Sequence, residues 1–185
     1  MKKSGKEPFH INGQNLNHNL LSFWQCSSSN ILSNALRGIL AEYIVSIDIG
    51  CEQPVREEWD AYDLITPDGI KVEVKSSSYI QSWEQKSLSK ISFGIQPTKI
   101  LQTSNTYSEE AKRQSDVYVF CVLNHKDKQT VDPLNMAQWD FYVLATRVLD
   151  EKVGKQKSIT LSSMQKLEPT KCFFGGIGDS INSML

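Results

Sequence analysis

The sequence has no run of about 18 consecutive apolar residues, the length that crosses a bilayer as a helix, so we expect no membrane span. Its first residues, MKKSGKEPFHINGQN, contain lysines but no apolar stretch after them. This is not the pattern of a secretory signal peptide. We therefore expect a cytoplasmic protein.

The chain is also poor in the residues that build zinc sites. Its four cysteines lie far apart without a CxxC pair, which argues against zinc and for free thiols: Cys26, Cys51, Cys121 and Cys172. Its three histidines, His10, His18 and His125, show no spacing typical of a metal site, and we expect them on the surface.

Neither sign of charge is in excess. The formal net charge is -1, so the chain has no overall basic field, and any contact with nucleic acid must come from a local patch. A chain of 185 residues fits one domain and can bury roughly 70% of its unfolded surface without disulfides. We expect residues 1–28, rich in Asn and Ser, to form a polar arm or a short helix, and residues 29–185 to form a single domain.

The segment NILSNALRGILAEYIVSIDIG has apolar residues at helical spacing. The expected apolar stripe is Leu32, Ala35, Leu36, Ile39, Leu40, Tyr43, Ile44 and Ile47. Ser29 or Asn30 is the expected N-cap, and Gly50 ends the helix. Gly38 inside this helix predicts a close packing contact, because glycine there costs about 1 kcal/mol relative to alanine.

The rest of the chain predicts strands with a few short helices. Expected strands lie in KISFGIQP, in DVYVFCVL (apolar throughout, hence covered on both faces) and in QWDFYVLATRVL. Short helices are expected near Ser108–Gln114 and after Thr160, and FFGGIGDS reads as a glycine-rich loop. This order predicts an α/β or α+β fold with a mixed central sheet flanked by helices.

One stretch, WDAYDLITPDGIKVEVKSSSYIQSW, predicts a tight hairpin. TPDG has the residues of a turn, so Thr66 pairs with Ile70, Ile65 with Lys71, and Leu64 with Val72. By the same count Asp63 lies opposite Glu73. Since side chains alternate, Asp63, Glu73 and Lys75 share one face, while Leu64, Ile70, Val72 and Val74 point into the core.

Two facing carboxylates repel one another and do not stabilise a sheet. A hard divalent cation such as Mg²⁺ would make the pair favourable, because it prefers carboxylate oxygens and retained water. Lys75 projects from the same face and could stabilise a phosphate or orient an attacking water.

These residues resemble the PD-(D/E)xK nuclease superfamily, the restriction-endonuclease-like fold, in which an acidic residue and an acidic-x-lysine triplet bind metal. The resemblance covers a core of about residues 30–147 in the order α-β-β-β-α-β, with residues 148–185 as a C-terminal extension. It implies Asp63, Glu73 and the Val74 carbonyl as metal ligands and Lys75 as the catalytic lysine. It also implies Glu42, from the preceding helix, as a further metal ligand and catalytic carboxylate, and Gln81 as a catalytic polar residue.

Several of these residues also have a simpler explanation in which they serve no catalytic role. The literal Pro67-Asp68 lies in the turn, five residues before Glu73, and Asp60 falls on the opposite face, so Asp63 is the better match. Lys71, Glu73 and Lys75 could simply form the solvent-exposed face of an antiparallel sheet. Glu42 is equally well explained as a solvated helix residue, and Gln81 as a loop residue.

Other residues could contact nucleic acid or serve the structure alone. Trp59, Trp83 and Trp139 could stack on bases or fill a core. Two lysine-rich series could follow a phosphate backbone or simply be solvated. They are Lys86, Lys90, Lys99, Lys112 and Arg113, and then Lys152, Lys155 and Lys157. The GGIG segment lacks a preceding strand and a following lysine, so we expect no phosphate loop there.

The resemblance therefore predicts a Mg²⁺-dependent endonuclease, with Mn²⁺ as a substitute, that hydrolyses DNA in a bacterial defence, repair or mobile-element setting. A homodimer would suit the cutting of both strands of a palindrome. The alternative is a catalytically silent module on the same fold that binds nucleic acid or protein. A third interpretation is a different α/β fold with charges on its surface.

Overall fold

The computed structural model describes residues 1–51, 61–99 and 108–184. Its strands are β1 (Pro8–Ile11), β2 (Gln14–Asn19), β3 (Leu64–Ile65), β4 (Lys71–Ser78), β5 (Ser92–Gly94), β6 (Val117–Leu123), β7 (Trp139–Ala145), β8 (Ser158–Thr160) and β9 (Thr170–Cys172). Its α-helices are α1 (Leu20–Ser28), α2 (Asn34–Asp48), α3 (Thr146–Val153), α4 (Leu161–Gln165) and α5 (Ile177–Asn182). None of the helices in these ranges is long and apolar enough to cross a membrane.

A mixed five-stranded sheet in the order β3-β4-β6-β7-β9 forms the centre of the fold. Its β4–β6 pair is parallel and the other pairs are antiparallel. The expected α/β class with a mixed sheet is therefore confirmed. The more specific restriction-endonuclease-like order stays a prediction.

Strand β6 is buried along its whole length, as its continuous apolar run predicts. Alternate residues point to opposite faces of the sheet. Val117, Val119 and Cys121 pack with α2 and α5. Tyr118 and Phe120 pack on the other face with Phe93 of β5 and Ile159 of β8. The sheet thus separates two apolar layers, and both must form for the strand to be excluded from water.

The predicted hairpin is correct where β3 and β4 pair. Leu64 lies opposite Val72 and Ile65 opposite Lys71. The Thr66 N–H donates to the Ile70 carbonyl over 2.9 Å, and Gly69 has φ +87°, which glycine adopts without strain. The turn chemistry and the alternation of apolar residues therefore fix the register of β4.

Helix α2 forms as predicted, but its cap and its buried face differ from the expectation. Ser33, rather than Ser29 or Asn30, caps it by accepting a hydrogen bond from the Leu36 N–H, because residues 30–33 form a turn between α1 and α2. Its buried residues are Arg37, Ala41, Ile44, Val45 and Ser46, whereas Ile39, Tyr43 and Ile47 of the expected stripe are exposed. A Cβ added to Gly38 would meet nothing within 4 Å, so the expected close contact is absent.

The N-terminal segment is more ordered than a polar arm. Strands β1 and β2 form an antiparallel hairpin around Asn12 and Gly13, both at positive φ, the geometry favoured by an Asn-Gly turn. Asn19 then caps α1 in a reciprocal capping box with Ser22. The expected short helix is confirmed as α1, whereas the hairpin of β1 and β2 was not expected.

Other expected elements are confirmed in part. The strand expected in KISFGIQP is confirmed as β5, which pairs with β8 in a separate two-stranded sheet. The strand expected in QWDFYVLATRVL is correct only as far as Ala145, because α3 begins at Thr146. The helix expected near Ser108–Gln114 is wrong. Residues 108–114 form no helix; Lys112 instead makes an isolated antiparallel bridge with Thr98. The short helix after Thr160 is confirmed as α4.

The glycine-rich segment is occupied by a side chain of the protein itself. The Asp48 carboxylate, at the end of α2, accepts hydrogen bonds from the N–H groups of Gly175, Ile177 (3.0 Å) and Gly178 (3.1 Å). Part of the expected loop is helical, since α5 begins at Ile177. These amides thus hold an anion, as consecutive backbone N–H groups do, but the anion is Asp48.

Candidate active site

Asp63 lies immediately before β3 begins, at the edge of the central sheet. Its backbone N–H donates to the Val72 carbonyl over 3.1 Å, and its carboxylate accepts from the Val74 N–H over 2.7 Å. The strand pairing itself stops at Leu64 and Val72, one residue short of the expected Asp63–Glu73 pair. A carboxylate therefore takes the place that a backbone carbonyl would occupy in a longer β3.

The backbone of Val74 faces this same edge. In a strand the N–H and the carbonyl of one residue project to the same side, and successive residues alternate. The Lys71 carbonyl accepts from Asp116, next to β6, whereas the Val72 carbonyl and the Val74 N–H bond to Asp63. The Val74 carbonyl consequently points to the same edge of β4 at which Asp63 lies. Its role as a third ligand stays a prediction.

Glu73 and Lys75 stand on the opposite face of β4 from Val74, with Tyr118 and Phe120 as their β6 neighbours. Their side chains form an ion pair and remain 20% and 31% exposed, respectively. They are thus shielded by the apolar layer beneath them but open to solvent on one side. An ion pair in such a place is accessible to an incoming phosphate.

The electrostatics of Asp63 link the acidic residues together. Burial, followed by the negative charges of Glu73 and Glu42, raises the pKa of Asp63 to about 6, against the lowering effects of Lys75 and the Val74 N–H. The same environment raises the pKa of Tyr118, through burial and then the charge of Glu73. Glu42, Glu73 and Lys75 therefore form one electrostatic cluster around Asp63, contributed by α2, by β4 and by the residue before β3.

The carboxylates and the carbonyl at this edge are oxygen donors, the ligands that a hard divalent cation takes. Among the described residues, no three His, Cys, Asp or Glu side chains lie close enough together to share a metal ion. Mg²⁺ does not need three, because it is commonly bound through one or two carboxylates with water and substrate phosphates completing its shell. Two mutually repelling carboxylates, Asp63 and Glu73, beside the Val74 carbonyl suit that mode.

Gln81, the remaining predicted site residue, makes its hydrogen bonds away from these carboxylates. Its side-chain N–H donates to the Ser78 carbonyl over 2.9 Å, and its side-chain oxygen accepts from Arg37 over 3.4 Å. Only 6% of Gln81 is exposed. These contacts support the shape of the segment after β4 and give Gln81 no contact with the cluster.

Arg37 is a residue that the sequence pattern did not reveal. Arg37 is 4% exposed, and its guanidinium joins α2 to β4 by donating to Ser76 over 3.2 Å, in addition to Gln81. It also donates to the Leu32 carbonyl and the Asn34 side chain. Burial lowers the pKa of Arg37. In the sequence Arg37 follows Leu36 of the expected apolar stripe but is not part of that stripe. This position alone does not predict that an arginine is buried there.

The structure also sorts the aromatic and basic candidates. Trp139 is 1% exposed and belongs to the core, Trp83 is 54% exposed, and Trp59 and Asp60 lie outside the described residues. Arg113 is buried and bonded to Asp150 and to two backbone carbonyls, which gives it a structural role. Trp83 and the lysines near it are left as candidates for a binding surface.

Comparison with known proteins gives one family. The sequence model of bacteriophage T4 endonuclease IV matches residues 11–163, well over half of the chain and a range that includes every residue of the cluster. No curated protein sequence matches.

Proposed function

Since the chain belongs to the bacteriophage T4 endonuclease IV family, we propose that it is a Mg²⁺-dependent endonuclease that hydrolyses phosphodiester bonds in DNA. The observation that carries the proposal is the Asp63–Glu73–Lys75 cluster around the Val74 backbone at an open sheet edge. The alternation of acid, carbonyl and lysine is also what the resemblance to the PD-(D/E)xK superfamily implies, and we propose membership of it on that ground.

Asp63, Glu73 and the Val74 carbonyl would hold the cation. The resemblance implies Glu42 as a further ligand, and its negative charge acts on Asp63, but in this structure the three carboxylates do not lie close enough together to bind one ion directly. A divalent cation held there lowers the pKa of a bound water and neutralises charge on the phosphate. Asp63, with a pKa of about 6, is mostly ionised at pH 7 and so can serve as a ligand. The cluster is assembled by the fold, and its repulsion makes it receptive to positive charge.

Lys75 supplies a positive charge on the same face as Glu73. In the ion pair its Nζ donates to the Glu73 carboxylate. When a phosphate approaches, the ammonium can donate to a phosphate oxygen or orient the attacking water, while Glu73 is freed for the cation. A preorganised donor of this kind contributes roughly 10²–10³-fold in rate in other enzymes, and we assign this role to Lys75.

The test is cleavage of a panel of labelled single-stranded DNA, duplex DNA and RNA, with Mg²⁺, with Mn²⁺ and with EDTA. We expect Asp63→Asn, Glu73→Gln and Lys75→Ala each to lower the rate at least about 100-fold. Asp68→Asn and Lys71→Ala are matched controls from the same hairpin, and we expect them to stay within about twofold of the wild type.

Two outcomes would contradict the proposal. Cleavage in EDTA at the full rate would exclude a metal-dependent mechanism. Absence of cleavage on every substrate, with nucleic acid still bound, would favour the catalytically silent module.

A further inference from the structure

The segment that follows β4 forms a compact loop, residues 79–90, built largely from its own hydrogen bonds. Its ends meet where the Ser89 N–H donates to the Tyr79 carbonyl over 3.0 Å. Inside it, the Gln85 side chain accepts from the Gln81 N–H and donates to the Tyr79 carbonyl and the Ser89 hydroxyl. A loop held by this many internal bonds keeps its shape without a partner.

A second loop, residues 124–130, is fastened to the first. Lys128 donates to the carbonyls of Gln81 and Trp83, and the Lys126 ammonium lies 4.8 Å from the centre of the Tyr79 ring. A cavity of about 280 Å³ lies between the loops, lined in part by Leu88 and Lys128. The two loops follow parallel neighbouring strands, β4 and β6, so they lie at the same end of the sheet.

This pair of loops presents an aromatic ring and positive charge to solvent. Trp83 is 54% exposed although the backbone around it is fixed. The loops contain four lysines against Glu84 and Asp127, a net charge of +2 in a chain whose total is -1. The other lysine-rich series has no such excess, because Lys152, Lys155 and Lys157 lie among Asp150, Glu151, Glu109 and Glu110, and two of those lysines and two of those glutamates line one cavity.

We propose that Trp83, with Lys86, Lys90 and Lys126, forms a surface that holds the nucleic-acid strand beside the cleavage site; we call it the tryptophan-loop surface. The proposal rests on the proposed nuclease function and locates where its substrate lies. An exposed indole stacks on any base, and lysines track the backbone phosphates.

The position of the surface relative to the cluster suits one continuous strand. Ser78, the last residue of β4, comes three positions after Lys75, a distance of about 10 Å at the rise of a strand. A nucleic-acid strand carries one charge per about 3.4 Å in a duplex, so a few nucleotides cover this distance. The lysines at one end and Lys75 at the other would contact successive parts of the same backbone.

The test uses full-length protein carrying Glu73→Gln, in EDTA, and a fluorescein-labelled 20-nucleotide DNA of mixed sequence, alone and annealed to its complement. We expect Trp83→Ala to weaken binding of at least one form about tenfold, and Trp83→Phe to retain most of it. Replacing Lys86, Lys90 and Lys126 with Gln should reduce the slope of log affinity against log salt by about one for each lost phosphate contact.

The matched control is Phe173→Ala. Phe173 is 66% exposed, and the Lys171 ammonium lies 5.7 Å from the centre of its ring, so it pairs an exposed aromatic ring with a lysine as the tryptophan-loop surface does. Phe173 follows β9, however, which lies at the opposite edge of the sheet. Its loss should change the affinity less than twofold. Because Trp83 is already in solvent, its replacement leaves the core intact, and Trp83→Phe checks the fold with an aromatic ring in place.

Wild-type affinity and salt slope in both the Trp83 and the lysine variants would overturn the inference. So would an equal loss of binding to polyglutamate, a polyanion without bases, since that would indicate an acidic protein partner. The proposed function fails by a different readout: DNA that binds the wild-type protein with Mg²⁺ present but stays intact.

Discussion

The buried guanidinium of Arg37 donates to the buried side-chain oxygen of Gln81 across 3.4 Å, joining residues 44 positions apart. Through Ser76, the same guanidinium reaches the residue that follows Lys75. It therefore connects α2, which carries Glu42, to β4, which carries Glu73 and Lys75. The relative placement of the acidic residues depends on this connection.

Replacing Arg37 should destabilise the protein strongly. In Arg37→Ala, the Leu32 carbonyl and the side chains of Asn34, Ser76 and Gln81 lose a donor, and we expect the free energy of unfolding to fall by about 2–4 kcal/mol. Urea unfolding measures this directly. The control is Arg147→Ala, an exposed arginine with one 3.3 Å bond to the Met184 carbonyl, for which a loss below about 0.5 kcal/mol is expected. Equal losses would show that Arg37 does not connect the two elements.

Asp63 should make the metal-free protein less stable as the pH rises. Its native pKa of about 6 exceeds the ordinary 3.8, so between about pH 4 and 6 the native state holds a proton that the unfolded state releases. The stabilisation is present below pH 4 and is lost by about pH 7, an effect of up to about 3 kcal/mol.

Asp63→Asn removes this dependence while its side-chain oxygen can still accept from the Val74 N–H. In EDTA at pH 7.5 we expect the variant to be more stable than the wild type, and at pH 4.5 the difference should shrink. Asp68→Asn, in the exposed turn, should change the stability by less than about 0.5 kcal/mol. A wild-type protein more stable than Asp63→Asn at pH 7.5 would contradict the raised pKa.

Asp48 should be essential for the attachment of the C-terminal segment. Asp48→Ala leaves the N–H groups of Gly175, Ile177 and Gly178 without their acceptor, and we expect a loss of about 2–3 kcal/mol in thermal or urea unfolding. Asp127, a fully exposed loop residue that also accepts a backbone hydrogen bond, provides the control. If Asp48→Ala and Asp127→Ala proved equally mild, the three amides would be satisfied by water.

Two glycines should respond in opposite directions to alanine. Gly38 lies inside α2 with open space around it, so Gly38→Ala should stabilise the protein by about 0.5–1 kcal/mol. Gly69 has φ +87° in the hairpin turn, where a Cβ is strained, so Gly69→Ala should destabilise it by about 1 kcal/mol or more. Differential scanning calorimetry of the two variants measures both signs. Destabilisation by Gly38→Ala would mean that α2 needs the bare backbone at that point.

The parts of the fold that sequence predicts are those with local causes. The β3–β4 register follows from TPDG and the alternation around it, and β6 from its unbroken apolar run. The Asn12-Gly13 turn has the same kind of local signal, but every residue of its two strands is exposed and β2 contains a single apolar residue, so hydrophobic alternation did not mark a buried face.

The parts that sequence did not predict depend on distant partners. Periodicity shows that α2 is a helix, but it cannot show that Arg37 is buried while Ile39 and Tyr43 stay exposed, because the partners of Arg37 include Ser76 and Gln81. The pairing of β5 with β8 is likewise set by chain segments more than 60 residues apart. Asp63, Glu73 and Lys75 could be assigned to one site from the sequence because a single hairpin carries all three. Gln81, assigned by resemblance, lies outside that hairpin.

The carboxylate of Asp63 also bears on the open edge of the central sheet. In the part of the chain that the structure describes, no strand pairs with the outer edge of β4 beyond Leu64. An exposed strand edge with free backbone groups invites the addition of a strand from another molecule, which is a route to aggregation. Asp63 occupies the first vacant position on that edge, and the charges of Glu73 and Lys75 follow. The charged groups that we assign to catalysis should therefore also oppose edge-to-edge association. Variants that replace these charges with neutral groups should be checked for aggregation before a loss of cleavage is interpreted.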